Sequence, residues 1–205
     1  MSILKSHGSI WKINGTIVDM TNSEQTITIG GIEYPVVKIG NQLWIQKNLE
    51  NEIGTLNNDY RVYDKEKYGL LYKEQYIRTG SIKDFLDQVR IDTGFHLPSN
   101  SDLASLRNYC SSEGYFFPQC IKAIDGWNSN NGTNETGLTL YGSGDYNGSN
   151  IEHIGDYFHG AKEESSSQWY VSSGTSYDFT PGTLPYYIFV AIRLMKDDSQ
   201  RLVPV

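Results

Sequence analysis

The residues of this chain that could do chemistry are few and scattered. His96 sits in Gly94-Phe95-His96-Leu97-Pro98, just before a helix start. A general base needs a nucleophile or carboxylate held beside it, and no neighbour in sequence supplies one, so His96 reads as a packing residue. His153 and His159 flank Gly155-Asp156-Tyr157-Phe158. Two imidazoles and a carboxylate could ligate zinc, but this spacing fits neither one face of a helix nor a familiar zinc motif. The segment Asp145-Tyr146-Asn147-Gly148-Ser149-Asn150 alternates oxygen-bearing side chains like a calcium loop. The bidentate Glu such a loop needs would fall on Asp156, which is shorter, so the segment reads as a Gly turn carrying amides. Glu163 and Glu164 are adjacent, and neighbours on a strand point to opposite faces, so they make a poor glycosidase pair. No nucleophile elbow, P-loop or dinucleotide fingerprint occurs. No metal and no cofactor is expected.

What remains is a loop block rich in aromatics. Tyr141, Tyr146, Tyr157, Trp169, Tyr170, Tyr177, Tyr186 and Tyr187 are interleaved with Ser, Gly and Asn. Tyr is a rigid amphipathic anchor, and Ser, Gly and Asn are adaptable hydrogen-bonding spacers, the usual composition of a recognition surface. The expected contact residues are Tyr141, Asp145, Tyr146, Asn147, Asn150, His153, Tyr177 and Asp178. The competing reading puts about half of these aromatics in the core, Trp169 first.

The elements that must position this block follow from composition and pattern. The chain has 205 residues, with 20 Gly, 15 Tyr and only 4 Ala, which disfavours a helical bundle and favours strands joined by long polar loops. Seventeen basic against 24 acidic residues give a net charge of −7, so a phosphate backbone would be repelled and nucleic acid is not an expected partner. No apolar run is long enough to cross a membrane, and residues 1–11 lack a stretch of signal-peptide length. Residues 1–30 read as a β-rich arm. Ile10 to Val18 is a hairpin candidate turning at Asn14-Gly15, and Thr26 to Ile29 is a strand ended by Gly30-Gly31. The arm is either a first sheet of the same domain or an attachment or oligomerisation element. Residues 31–198 form the domain and 199–205 a polar tail. Within the domain, Tyr34–Ile39 and Gln42–Ile45 read as a hairpin. Ser81–Ile91, with Ser81 as cap and Ile82, Phe85, Leu86 and Val89 inward, is one helix. Ser99–Cys110, capped by Ser99, is the other. The apolar run Tyr186–Met195 suits one central, covered strand. Cys110 and Cys120 could close a short disulfide loop; two free thiols are the preferred reading, because nothing signals export.

Several stretches together resemble the Fibrobacter succinogenes major paralogous domain, a C-type-lectin-like family. They are Val37-Lys38-Ile39-Gly40-Asn41-Gln42-Leu43-Trp44 with Lys47-Asn48-Leu49, Tyr68-Gly69-Leu70-Leu71-Tyr72, and Gly94-Phe95-His96-Leu97-Pro98-Ser99. Thr133-Asn134-Glu135-Thr136-Gly137-Leu138 and Phe189-Val190-Ala191-Ile192-Arg193-Leu194 follow in the family's order, so that the likeness covers roughly residues 34–197. The resemblance implies an α+β fold with two helices, small antiparallel sheets and long loops. Relatives of that wider fold display ligand-binding loops, and one branch is the formylglycine-generating enzymes. The departures matter. Ile91 and Leu194 stand where the family carries a cysteine pair, and burying two aliphatic side chains at about 1.5–3 kcal/mol each would offset a disulfide worth about 2–4. Phe158-His159-Gly160-Ala161 replaces the family's Trp-Trp-Ser-Ser, and Phe95 replaces its motif Trp. Cys110 and Cys120 are not where formylglycine chemistry would need cysteines, and the calcium-dependent sugar motifs of true C-type lectins are absent.

The expectation is therefore a non-enzymatic binding module. A reducing assembly route without the family's cysteine pair suits a phage virion component, such as a fibre, tail or capsid-decoration protein, that recognises a bacterial surface glycan or protein. It would be a homo-oligomer, a trimer being usual for fibres, with residues 1–30 docking on other virion proteins. The alternatives are a decoration protein with no outside ligand and a processed binding protein of the bacterial cell surface.

Overall fold

Two apolar stretches, the hairpin 32–45 and the late run 189–195, form the seam on which the rest of the chain is packed. The structure is a computed structural model. It describes the backbone of residues 10–13 and 16–19, and residues 25–146, 150–163, 168–178 and 189–198 without the side chains of Asp145 and Asp178. In order come β1 (Ile10–Ile13), β2 (Thr16–Asp19), β3 (Gln25–Ile29), β4 (Ile32–Ile39), β5 (Gln42–Ile45), β6 (Tyr60–Val62), α1 (Lys65–Tyr68), β7 (Leu70–Lys73), α2 (Glu74–Arg78), α3 (Ser81–Thr93) and α4 (Asn100–Ser112). After a 3-10 turn at Gln119–Ile121 follow β8 (Asp145–Tyr146), β9 (Ile151–Glu152), β10 (Tyr157–Ala161), β11 (Gln168–Ser172), β12 (Tyr177–Asp178), β13 (Phe189–Ala191) and β14 (Met195–Asp197). The fold is mixed α+β. One sheet has four strands in the order β14-β5-β4-β3, the other six in the order β12-β11-β10-β13-β7-β6, with β1-β2 and β8-β9 as separate hairpins. Only the β10–β13 pair of the six-stranded sheet is parallel.

β5, β7 and β13 are covered on both faces, which is why they read as apolar runs rather than as alternations. Leu70, Tyr72 and Val190 enter a core under α3 with Ile82, Leu86, Val89 and Phe95. Their neighbours Leu71, Phe189 and Ala191 enter a second core under α4 with Leu103, Leu106, Phe158 and Trp169. Trp44 goes to the second core and Leu43 and Ile45 to the first, by the same two-residue period. Trp169 is fully buried, as its pattern suggests.

Both long helices form where the sequence places them. Ser99 Oγ accepts from the Asp102 amide at 3.2 Å, while the Asp102 carboxylate accepts from the Ser99 amide at 2.8 Å, a reciprocal capping box. α3 corrects one expectation: Gly80, at φ +73°, takes the cap position, and Ser81 is already helical. The family reading expects two helices; α1 and α2 are further short ones of four and five residues.

Three other expectations change. First, β1 and β2 pair as a hairpin, with Asn14 and Gly15 outside the described residues, but β3 pairs along all of its length with β4 through a Gly30-Gly31 turn in which both φ are positive. Ile29 lies in the first core, so the line between residues 30 and 31 cuts through a hairpin of the four-stranded sheet. Second, the late run is not one strand. β13 ends at Ala191, and the carbonyls of Ile192 and Leu194 accept from the amides of Leu49 (2.8 Å) and Ile45 (3.1 Å), carrying the chain to β14 in the other sheet. Third, Ile91 is 77% exposed while Leu194 is buried, so no apolar pair takes the place of the family's cysteines. Ile91 lies about two and a half turns beyond Ile82, on the opposite face of α3. Phe158-His159-Gly160-Ala161 is regular strand β10. The tail 199–205, Tyr186 and Tyr187 lie outside the described residues.

Candidate ligand-binding site

β6 is an edge strand in which Tyr60 is buried and Arg61, opposite Leu71, is half-buried at the rim of the second core. The Arg61 guanidinium carbon lies 4.5 Å from the centre of the Tyr146 ring and 4.6 Å from that of Phe189. Those two rings meet edge to face at 5.1 Å. A guanidinium against two aromatic faces is held by the ring quadrupoles and loses little further freedom on binding. Its remaining bonds are long: Nη1 donates to the Tyr60 carbonyl and Nη2 to the Tyr146 hydroxyl, both at 3.4 Å. Tyr146 is placed by the β8–β9 pairing, Tyr146 opposite Ile151. That hairpin is tied to β10 through the Gly144 amide, which donates to the Tyr157 carbonyl at 2.8 Å.

Around Arg61 opens a pocket of about 480 Å³, lined by Asn57, Val62, Tyr63, Tyr146, Asn150 and Ile151. Tyr63 is 65% exposed and Val62 44%, and Leu56 close by in sequence is exposed as well. Asn57 holds a left-handed backbone at φ +67°, its amide bonded to the Tyr60 carbonyl. Among the described lining residues Arg61 is the sole charged one, and among the described residues it forms no ion pair. The arrangement offers an exposed aromatic face, amides that donate and accept, and one pre-oriented cation. It can bind a polar ligand; the lining supplies no nucleophile–base pair.

The eight residues expected to make contact divide. Tyr146 and Asn150 meet in this pocket. Asn147 and the side chains of Asp145 and Asp178 lie outside the described residues. Tyr141 lines a different pocket of about 460 Å³ with Lys47, Asp64, Glu66, Lys67 and Arg193, its ring edge-on to Tyr68 at 6.1 Å. His153, at φ +56°, sits 5.5 Å from the Tyr157 ring on the outer face of β10–β11, beside the near-parallel pair His159–Tyr170. Tyr177, half-buried, lies away from this pocket: it packs edge-on to Phe117 at 4.7 Å at the margin of the second core, with the Arg107 guanidinium 5.7 Å from its ring centre. Sequence reasoning missed Arg61 and Tyr63.

Two buried cations do structural work elsewhere. Lys122, fully buried, donates to the carbonyls of Asn130, Ser172 (3.2 Å), Ser173 (3.0 Å) and Gly174 (3.3 Å), with Nζ 4.4 Å from the Trp127 ring centre. Burial pulls its pKa down to about 8. Arg193 donates to Asn48 Oδ1 (3.0 Å) and to the carbonyls of Ile45 (3.0 Å), Leu138 and Thr139. Cys110 and Cys120 are free and buried, and the hydrogen bond between the thiols lowers the pKa of Cys110 and raises that of Cys120. His96 is structural: its backbone bridges to Met195 and its Nδ1 lies 2.8 Å from the Leu97 carbonyl. Among the described residues no group of three or more His, Cys, Asp or Glu is placed to hold a metal ion, and no helix is long and apolar enough to cross a membrane.

The fold and this site define a mixed α+β protein with an open, aromatic-walled pocket at a sheet edge. No family model, curated protein or solved structure matches the chain.

Proposed function

We propose that the chain is a non-enzymatic, C-type-lectin-like ligand-binding module of the Fibrobacter succinogenes major paralogous kind, recognising a bacterial surface glycan or protein through the Arg61 pocket. One observation carries the reading: a pre-oriented guanidinium, an exposed Tyr63 and the amides of Asn57 and Asn150 converge on one opening of ligand size. The family assignment is supported by the ordered stretches quoted above. Their Trp44, Leu71, Phe95 and Leu194 all serve as core residues, the role a family signature has when it encodes a scaffold. We place the module on a phage virion, with residues 1–30 as the attachment or oligomerisation element. What supports this carrier is that Ile91 and Leu194 occupy the family's cysteine positions.

Binding to whole bacterial cells, and to a glycan array, tests the reading. Tyr63→Ala is expected to lower binding about tenfold or more with the melting temperature unchanged, since stacking on an aromatic side chain is worth roughly 1–3 kcal/mol. Binding untouched by Tyr63→Ala and by Asn150→Ala would move the site elsewhere.

A further inference from the structure

We infer that the ligand of the Arg61 pocket is an acidic saccharide, a sugar bearing a carboxylate, with the carboxylate on Arg61 and a ring against Tyr63. The inference rests on the proposed binding role of this pocket and adds the chemical class of what it binds.

The first argument is the unused hydrogen-bonding capacity of Arg61. A guanidinium has five N–H donors in a fixed fork that matches a carboxylate in two parallel bonds. Among the described residues Arg61 makes two bonds, both 3.4 Å, beyond the usual 2.7–3.2 Å for N–H···O, and both acceptors are uncharged. The contrast with Arg193 is direct. That guanidinium is buried and spends its donors on Asn48 Oδ1 and three carbonyls. Arg78 and Arg90 have carboxylate partners, Glu74 and Glu163.

The second argument is charge. The chain carries −7 overall, yet the described residues lining this pocket include no acid. Among the described lining residues an anion meets one cation and no acid. The two rings hold the guanidinium in place before the ligand arrives, so a bidentate contact costs little ordering.

The third argument selects a saccharide over an acidic peptide. The pocket ends in an exposed Tyr ring and two carboxamides, the partners that sugar rings and hydroxyls use. Peptide pairing would instead use the outer edge of β6, which is three residues long and whose Tyr60 carbonyl already accepts from the Asn57 amide.

The test is titration of the full chain, by calorimetry, with three probes: a glucuronic-acid-containing oligosaccharide, its neutral glucose counterpart of equal length, and a Glu-rich peptide of the same charge as the acidic sugar. The acidic oligosaccharide is expected to bind about tenfold or more tighter than the neutral one, the range for a hydrogen bond to a charged group. Arg61→Gln should remove that preference, bringing the acidic oligosaccharide to the affinity of the neutral one, and Tyr63→Ala should weaken both. Arg61→Lys, which keeps the charge and loses the fork, should fall between and serves if Arg61→Gln does not fold. Equal affinity for the two oligosaccharides, or a preference that survives Arg61→Gln, overturns the acidic class and leaves the binding site standing. Arg61-dependent binding of the peptide as tight as that of the acidic sugar overturns the saccharide. No binding of any probe, or binding insensitive to Tyr63→Ala, overturns the site and this inference together.

Discussion

Lys122 and Arg61 are both cations set against aromatic rings, without a carboxylate partner among the described residues, and they serve opposite ends. Lys122 is closed: its ammonium meets four carbonyls and the Trp127 face and is fully buried. It fastens the 126–132 loop to the turn after β11, where two long loops would otherwise expose unpaired carbonyls. Arg61 is open: it touches two rings, makes two long bonds and faces a pocket. The difference teaches that a cation's role follows from what is left unused. When the donors are spent inside the chain the residue is a clamp, and when they are spare and accessible it is a contact for something else.

The comparison can be broken at four points. Lys122→Ala is expected to have the largest effect, a loss of about 3–5 kcal/mol in denaturant unfolding, because several buried carbonyls lose their donor together. A loss under about 1 kcal/mol would show that water replaces the clamp. Gly160→Ala comes next, at about 1–3 kcal/mol of overpacking, since a methyl there overlaps the indole of Trp169 across the β10–β11 pair; thermal melting checks it. Third is pH. The ordinary lysine pKa lies near 10.5 and the folded value is about 8, so between these the unfolded chain holds a proton the native one lacks. Stability contributed by this group therefore rises from about pH 8 upward, and Lys122→Met should abolish the rise. Tyr34 and Tyr72 act with the opposite sign above pH 10, because burial raises both phenols and their ionisation favours the unfolded chain. Urea unfolding at pH 7, 8, 9 and 10, wild type against Lys122→Met, reads the slope. The smallest effect on stability is expected for Arg61→Ala, at about 1 kcal/mol as suits a half-buried cation–π contact, while the same variant gives the largest loss of binding.

How much of this was legible follows from which forces are local. The hairpin 32–45, the cap at Ser99 and the inner faces of both long helices were read correctly, because capping, alternation and the 3.6-residue period act within a few residues. Ile91 shows the limit of family alignment: a position equivalent in sequence points away from the core because the helix period puts it there. The break at Ile192–Leu194 was hidden because it depends on acceptance from Leu49 and Ile45, far away in the chain. The candidate site was half legible. The loop composition around Tyr146 and Asn150 points to this pocket, but Arg61 and Tyr63 come from β6 and the bend after it, some 85 residues earlier, which the sheet brings alongside. Tyr177 joins neither half, because its place beside Phe117 depends on a contact some 60 residues away in the chain. Lys122 carries no local signal at all, since its four acceptors are contributed by two separate loops.

The most direct test of an open cation beside a closed one is an amide and side-chain NMR titration with the glucuronic-acid oligosaccharide. The account predicts that the Arg61 Nε–H, the Tyr63 amide and the Asn150 carboxamide shift together and saturate, while the Trp127 indole and the Lys122 amide stay still. Saturable shifts at Tyr157 and Tyr170, or at Tyr141, with Arg61 unmoved would contradict it.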